Sequence, residues 1–393
     1  MSDGNAWEVL RSSLRLGLTS FGGPIAHLHY FEQLYVRDKR WLTETQFSSI
    51  VGLCQVLPGP ASSQAGFLIG LHRAGWAGAA AAWIGFTLPS ALLLYLFAHF
   101  ATRIVGPDAE AALHGLKIVA VAVVAQAVLG MARRLCVDRA TIAIAATSAI
   151  ALGFFGGGAL QLAVIAFGGT AGLIWCKSGH SQPSLPPWPA GRRAALLCAG
   201  ILAALMVGLP WLAWLQPSSL LALADVFFRA GALVFGGGHV VLPLLHEGLV
   251  PAGWVSDDAF LAGYGLAQAV PGPLFTVAAF LGAQSFASAP ALAATVAIVF
   301  VFLPGLLLAI IGAALWQALS RHARVHSALS GINAAVVGIL GAAFYDPVMT
   351  TALLSIQDIA LALLAWWMLE RVKVPPLAIV GLCVVGSMLL ARA

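Results

Sequence analysis

Apolar residues in this chain run in long blocks rather than alternating with polar ones, and the blocks are interrupted mainly by glycine and proline. A helix needs roughly 20 apolar residues to cross the ~30 Å hydrocarbon layer of a bilayer. The blocks therefore predict nine spanning helices, over 75–99, 111–132, 140–155, 158–176, 194–215, 289–316, 328–346, 350–370 and 374–391. Between 177 and 193 lies a polar stretch whose four prolines cannot continue a helix. It reads as a linker dividing the chain in two.

Composition sharpens this to an all-α integral membrane protein. Hydrophobic residues make up 60% and charged ones 9%, against about 25% charged in an ordinary soluble domain. Soluble enzymes, nucleic-acid binders and disulfide scaffolds are excluded as first readings. The net charge of +5 says little about a partner, because cytoplasmic loops of membrane proteins are rich in Lys and Arg. Five scattered cysteines, none in a CxxC pair, read as buried apolar side chains. No metal or cofactor is expected. The first residues lack a basic stretch followed by an apolar core, so no cleavable signal is expected.

The two parts are repeats. Arg15 to Gly23 (RLGLTSFGG) aligns with Arg229 to Gly237 (RAGALVFGG) at an offset of 214. In the same order follow Trp41-Leu-Thr-Glu and Trp254-Val-Ser-Asp, Gln55-Val-Leu-Pro-Gly-Pro and Gln268-Ala-Val-Pro-Gly-Pro, and Gly115-Leu-Lys117 and Gly331-Ile-Asn333. The expected organisation is a first repeat over 1–176, a cytoplasmic linker plus a connecting helix over 177–217, and a second repeat over 218–393. The connecting helix is an odd span that would invert the second repeat relative to the first, as in many secondary transporters.

Each half also holds two apolar stretches broken at the middle, one by Phe-Gly-Gly and one by Pro-Gly-Pro. As re-entrant hairpins they keep Arg11, Arg15, Arg37, Lys39 and Arg40 inside, together with most other basic residues. As full spans they would make 13 segments and put Arg37, Lys39 and Arg40 outside. The positive-inside bias favours hairpins.

Broken helices at membrane depth free backbone groups, which is tolerated only beside a protein cavity or aqueous path. New helices should start after Gly22, Gly23 and Pro24, after Gly236, Gly237 and Gly238, after Pro58, Gly59 and Pro60, and after Pro271, Gly272 and Pro273. Each start offers unpaired N–H groups and about +0.5 of a charge, so four converging starts would supply about +2 and suit a doubly charged oxyanion. Ser62, Ser63, Gln64 and Thr276 add hydroxyl or amide donors, and Gln55 and Gln268 sit just before the breaks. The plainer alternative makes these points packing kinks between helices, a reading weakened by their occurrence in repeat-related pairs.

Arg15 and Arg229 occupy the same repeat position and are expected either to face the cavity or to snorkel to the interface. Asp225, four residues before Arg229, is a ready partner for it. Lys117, inside an apolar block, is an anion or proton site or a structural cation. His27, His239 and Glu32 are the proton-coupling candidates, with interfacial or core positions as the alternative for the histidines. Phe154-Phe-Gly-Gly-Gly158 reads as a short turn between two spans and not as a dinucleotide motif, since no strand precedes it.

Taken together, Ser20-Phe-Gly-Gly-Pro24, Gln55 to Pro60, Phe235-Gly-Gly-Gly238 and Gln268 to Pro273 make the sequence resemble the chromate ion transporter family in its long, two-domain form. The resemblance covers essentially the whole chain. It implies an inner-membrane protein that exports chromate, with sulfate as competing analogue, and two halves that look like fused copies of a shorter form working as a pair. Membrane lipid and, left open, a homodimer are the other partners it allows. Proton- or sodium-coupled sulfate uptake is the alternative function.

Overall fold

The computed structural model describes residues 4–101, 106–176, 191–319 and 323–392. The described residues are helical, with no strand among them. The expected linker falls almost wholly outside them.

The two repeats present corresponding series of helices. In the first, α1 (Ala6–Thr19) and α2 (Gly23–Phe31, continued to Asp38 by a wider π-type turn) flank the Phe-Gly-Gly break. Next, α3 (Glu44–Val56) and the start of α4 (Ala61–Ala101) flank Pro-Gly-Pro. Helices α5 (Pro107–Leu135), α6 (Arg139–Phe155) and α7 (Gly158–Trp175) follow. Helix α4 is itself interrupted: Ala74 and Gly75 leave helical backbone, and Gly75 at φ +63° takes a conformation natural to glycine. The half-helix from Ala61 thus ends where the first expected span begins.

After the connecting helix α8 (Arg192–Leu215), the series returns as α9 (Leu220–Ala232), a 3-10 turn from Gly238 leading into α10 (Val241–Leu249), and α11 (Asp257–Ala267). A second 3-10 turn from Leu274 leads into α12 (Val277–Ser285), followed by α13 (Pro290–Leu319) and α14 (Ala323–Ala343). The single turn α15 (Thr350–Ala352), α16 (Ile356–Trp367) and α17 (Pro376–Leu390) close the chain. The repeated Trp-x-Thr/Ser-acidic motif is a pair of helix caps: Thr43 accepts from the Gln46 N–H and Ser256 from the Ala259 N–H.

Among the described residues six helices, rather than nine, are long and apolar enough to cross a membrane. Three expected spans are shorter. Arg139–Phe155 has 17 residues, because Asp138 caps its start and Gly156 and Gly157 turn the chain at its end. The span expected over 350–370 starts only at Ile356, where Ser355 and Asp358 form a reciprocal cap. Pro376–Leu390 has 15 residues.

The last helix of each half packs on the other half. Helix α7 lies along α14 and α17 along α5, and repeat-related glycines make both crossings close. A Cβ on Gly115 would sit 2.6 Å from the Cys383 carbonyl, and one on Gly331 would collide with the Gly168 carbonyl. Small residues that let helix backbones touch are the usual means of helix association in lipid.

Candidate functional site

The broken stretches fold back on themselves. At the foot of the first hairpin, Lys39 Nζ lies 3.1 Å from Glu8 Oε1, so the start of α1 meets the end of the α2 segment. The second hairpin ends beside it: Arg73 Nη2 lies 3.3 Å from Glu8 Oε2, and the Lys39 and Arg73 cations each stand 5.2 Å from the Trp41 ring. In the second repeat the corresponding closure is apolar. Trp254, before α11, stacks on Phe286, after α12, at 6.2 Å between centroids.

At the other end of these hairpins the four helix starts come together. A Cβ on Gly238 would lie 3.7 Å from Pro24 Cγ and 3.8 Å from Phe275 Cε2, joining the second Phe-Gly-Gly start to α2 and to the Leu274 turn. His27 Nδ1, on α2, lies 3.4 Å from Ser62 Oγ at the start of α4. The halves are also tied through backbone: Gly59 N–H donates to the Val234 carbonyl at 2.7 Å and Gly272 N–H to the Ser20 carbonyl at 2.8 Å. Gly22, Gly23, Gly59, Gly236 and Gly272 all have left-handed φ, and a Cβ on Gly23 would meet nothing within 4 Å.

Around these starts Ser20 Oγ, His27 Nε2, Ser63 Oγ, Gln64 Oε1, Thr87 Oγ1 and Gln268 Nε2 are buried without a hydrogen-bond partner. Unmade hydrogen bonds of this kind cost about 1–3 kcal/mol each, so a cluster of them needs a reason. The Gln64 amide meanwhile donates to the Pro58 carbonyl at 2.8 Å and to the Gly305 carbonyl at 2.9 Å, fixing the first Pro-Gly-Pro loop against α13.

Other expected site residues lie elsewhere or are engaged. Thr276 spends its only hydroxyl hydrogen on the Pro273 carbonyl at 2.7 Å, so it is not a free donor. Arg15 is exposed on α1, since the buried face of that helix is set by Val9, Ser12, Ser13, Leu16 and Gly17. Arg229 pairs with Asp225 and lines a cavity of about 430 Å³ beside Gly158 and Glu247. Lys117 Nζ lies 2.8 Å from Asp258 Oδ1, as a cation joining α5 to α11. Glu32 pairs with Arg37, and both line with Gln55 a separate cavity of about 540 Å³. His239 Nδ1 is 2.6 Å from Tyr264 Oη.

Residues 7–173, and again 221–388, match the family described as chromate transporter. The chain belongs to the chromate transporter family. The chromate transport protein of Pseudomonas aeruginosa is 29% identical over 356 residues, covering 88% of this chain and 82% of that protein. The chromate transport protein of Cupriavidus metallidurans is 26% identical over 372 residues, covering 91% and 85% respectively. A probable chromate transport protein of Synechococcus elongatus is 27% identical over 401 residues. No solved structure matches.

Two matched segments in one chain agree with the repeat seen in the motifs, and a chromate transporter family member with these helices is a multi-pass membrane protein rather than an enzyme. In this chromate transporter chain, Ser20 stood out in the sequence only as part of the Phe-Gly-Gly motif and Thr87 not at all, although both belong to the orphaned polar group. Ser20 directly precedes Phe-Gly-Gly, and Thr87 lies two residues before Pro89 in α4. Polarity beside a break was their one available signal, and it is weak for a residue inside a long apolar helix.

Proposed function

We propose that the protein exports chromate, with sulfate as the competing analogue, across the inner membrane by alternating access around a dianion held where the four half-helix starts meet. The observation that carries this reading is the set of buried, unpartnered hydroxyl and amide donors of Ser20, Ser63, Thr87 and Gln268 at those starts, which an anion with only acceptor oxygens would satisfy. The hairpin feet support a re-entrant arrangement. With the 17-residue α6 counted as a short pass, the second segment of α4, then α5, α6, α7 and α8, make five passes between the two hairpin pairs, an odd number that supports inversion of the second repeat. Gly59 and Gly272 hold each Pro-Gly-Pro loop against the opposite half. A rocking of one half on the other would therefore remodel the site from both sides.

Energetics give the direction. A dianion leaving an inside-negative cell gains about 4.6 kcal/mol per 100 mV, twice the value for one charge. Uptake of labelled chromate and sulfate into inside-out vesicles should rise with a lumen-positive potential, and uptake indifferent to potential would overturn electrogenic export. Proton-coupled sulfate uptake draws on His27, buried with Nε2 unpartnered beside Ser62. Sulfate auxotrophy on deletion, without chromate sensitivity, would favour it.

A further inference from the structure

The repeats match in backbone and differ in chemistry, and the difference falls on the site. In the Pro-Gly-Pro register, Ser62, Ser63 and Gln64 correspond to Phe275, Thr276 and Val277. In the Phe-Gly-Gly register, Ser20 corresponds to Val234 and His27 to Val241. The Leu-Pro pairs of α4 and α13 set Thr87 against Phe302. All of these side chains are buried in both repeats.

The polar set of the first repeat leaves Ser20 Oγ, His27 Nε2, Ser63 Oγ and Thr87 Oγ1 without partners. At these matched positions the second repeat has one polar counterpart, Thr276, whose hydroxyl hydrogen is already given to Pro273; its one unpartnered donor at the site is Gln268 Nε2, just before Pro-Gly-Pro. Its remaining counterparts are hydrocarbon, with the Phe275 and Phe302 rings 5.6 Å apart and Phe302 edge-on to Trp83 at 5.9 Å.

We infer that the anion is held mainly from one side: Ser20, His27, Ser62, Ser63 and Thr87 of the first repeat are its specificity-determining side chains, against a second-repeat wall that is apolar at the matched positions and offers the Gln268 amide alone. The inference rests on the reading that the half-helix starts bind an oxyanion. Backbone N–H groups from both repeats supply attraction to any anion. Side-chain hydroxyl donors on one flank distinguish a tetrahedral oxyanion from a spherical halide, because only the former presents several oxygens in fixed directions. The wall excludes water, and hydrogen bonds made in the resulting low dielectric are the stronger for it. A buried hydroxyl donor satisfied only by substrate gives nothing to the empty protein, so its loss is read in affinity.

The test is equilibrium binding of labelled sulfate and labelled chromate to the full chain in nanodiscs, with chloride as competitor. Ser20→Ala and Ser63→Ala should each weaken binding about tenfold, the worth of one well-made hydrogen bond. Each should also narrow the preference for oxyanion over chloride. Thr276→Val, at the place of Ser63 in the second repeat, should weaken binding less than about threefold. Ser63→Thr, which keeps the hydroxyl, should recover most of the affinity and guards against a folding defect. Equal losses in Ser63→Ala and Thr276→Val would overturn one-sided binding, as would unchanged affinity in both serine variants, which would mean that the donors hold only water. Failure of the unaltered protein to bind either oxyanion would overturn the transport reading itself, and this inference with it.

Discussion

The backbone N–H of Gly59 donates to the carbonyl of Val234 at 2.7 Å, and the repeat-related Gly272 makes the same bond to Ser20 at 2.8 Å. Each Pro-Gly-Pro loop is thus satisfied by the residue that precedes Phe-Gly-Gly in the opposite half. The irregular backbone that the bilayer would not tolerate is paired reciprocally, and the two breaks of one repeat cannot move independently of those of the other.

Valine at either glycine should abolish flux. Both residues have left-handed φ, +116° at Gly59 and +101° at Gly272. Their Cβ atoms would lie 2.9 Å from Gly305 Cα and 2.8 Å from Ser90 Oγ. Vesicle uptake in Gly59→Val and Gly272→Val is expected at background, with membrane insertion intact. Gly130→Ala, at a helical glycine with open space around it, should transport like the unaltered protein. Wild-type flux in both valine variants would sink the half-helix site.

The breaks, the helix starts and the repeat were legible in the sequence because Gly, Pro and capping residues act locally, through φ, missing donors and first-turn N–H groups. What was not legible depends on which faces meet. Nothing near Gly331 in sequence says that α14 packs on α7 of the other half. Lys117 in its apolar block reads equally as an anion or proton site or as a structural cation, and nothing near it in sequence names Asp258, which the fold brings to 2.8 Å. Arg15 and Arg229 share a repeat position, yet Arg229 has Asp225 one turn before it and Arg15 has Arg11, so one is paired and the other turns outward.

The exchanged helices give a stability prediction. Gly115→Val and Gly331→Val would push α17 off α5 and α7 off α14, and overpacking of this kind costs about 1–3 kcal/mol. Thermal unfolding in detergent should show a lowered Tm for both variants and a larger loss in the double variant. An unchanged Tm in both would mean that the crossings yield without cost.

Side-specific labelling checks the inverted arrangement. With the native cysteines replaced, Asp38→Cys lies at the foot of the first hairpin pair and Ala252→Cys at the corresponding place in the second, both exposed. An impermeant thiol reagent should reach Asp38→Cys only from the cytoplasm and Ala252→Cys only from the opposite side. Labelling of both from one side would make the repeats parallel.

The Asp225 and Arg229 pair separates a structural role from a substrate role. Asp225 is 2% exposed and its Oδ1 has no partner, so its carboxylate depends on the guanidinium. Removing one member of a buried pair costs about 3–5 kcal/mol, because the other charge is left uncompensated. The Arg229 side chain is 44% exposed, which discounts the pair's own worth but leaves Asp225 just as dependent on it. Arg229→Gln should therefore lower both Tm and anion affinity. Arg229→Lys should restore part of each, since a point charge lacks the planar fork. Adding Asp225→Asn to Arg229→Gln removes the stranded carboxylate, so Tm should recover while affinity stays low. Arg15→Gln, on the exposed face of α1, should change affinity less than Arg229→Gln. If affinity recovers along with Tm in the double variant, Arg229 serves Asp225 alone and the dianion is drawn in by the helix starts without it.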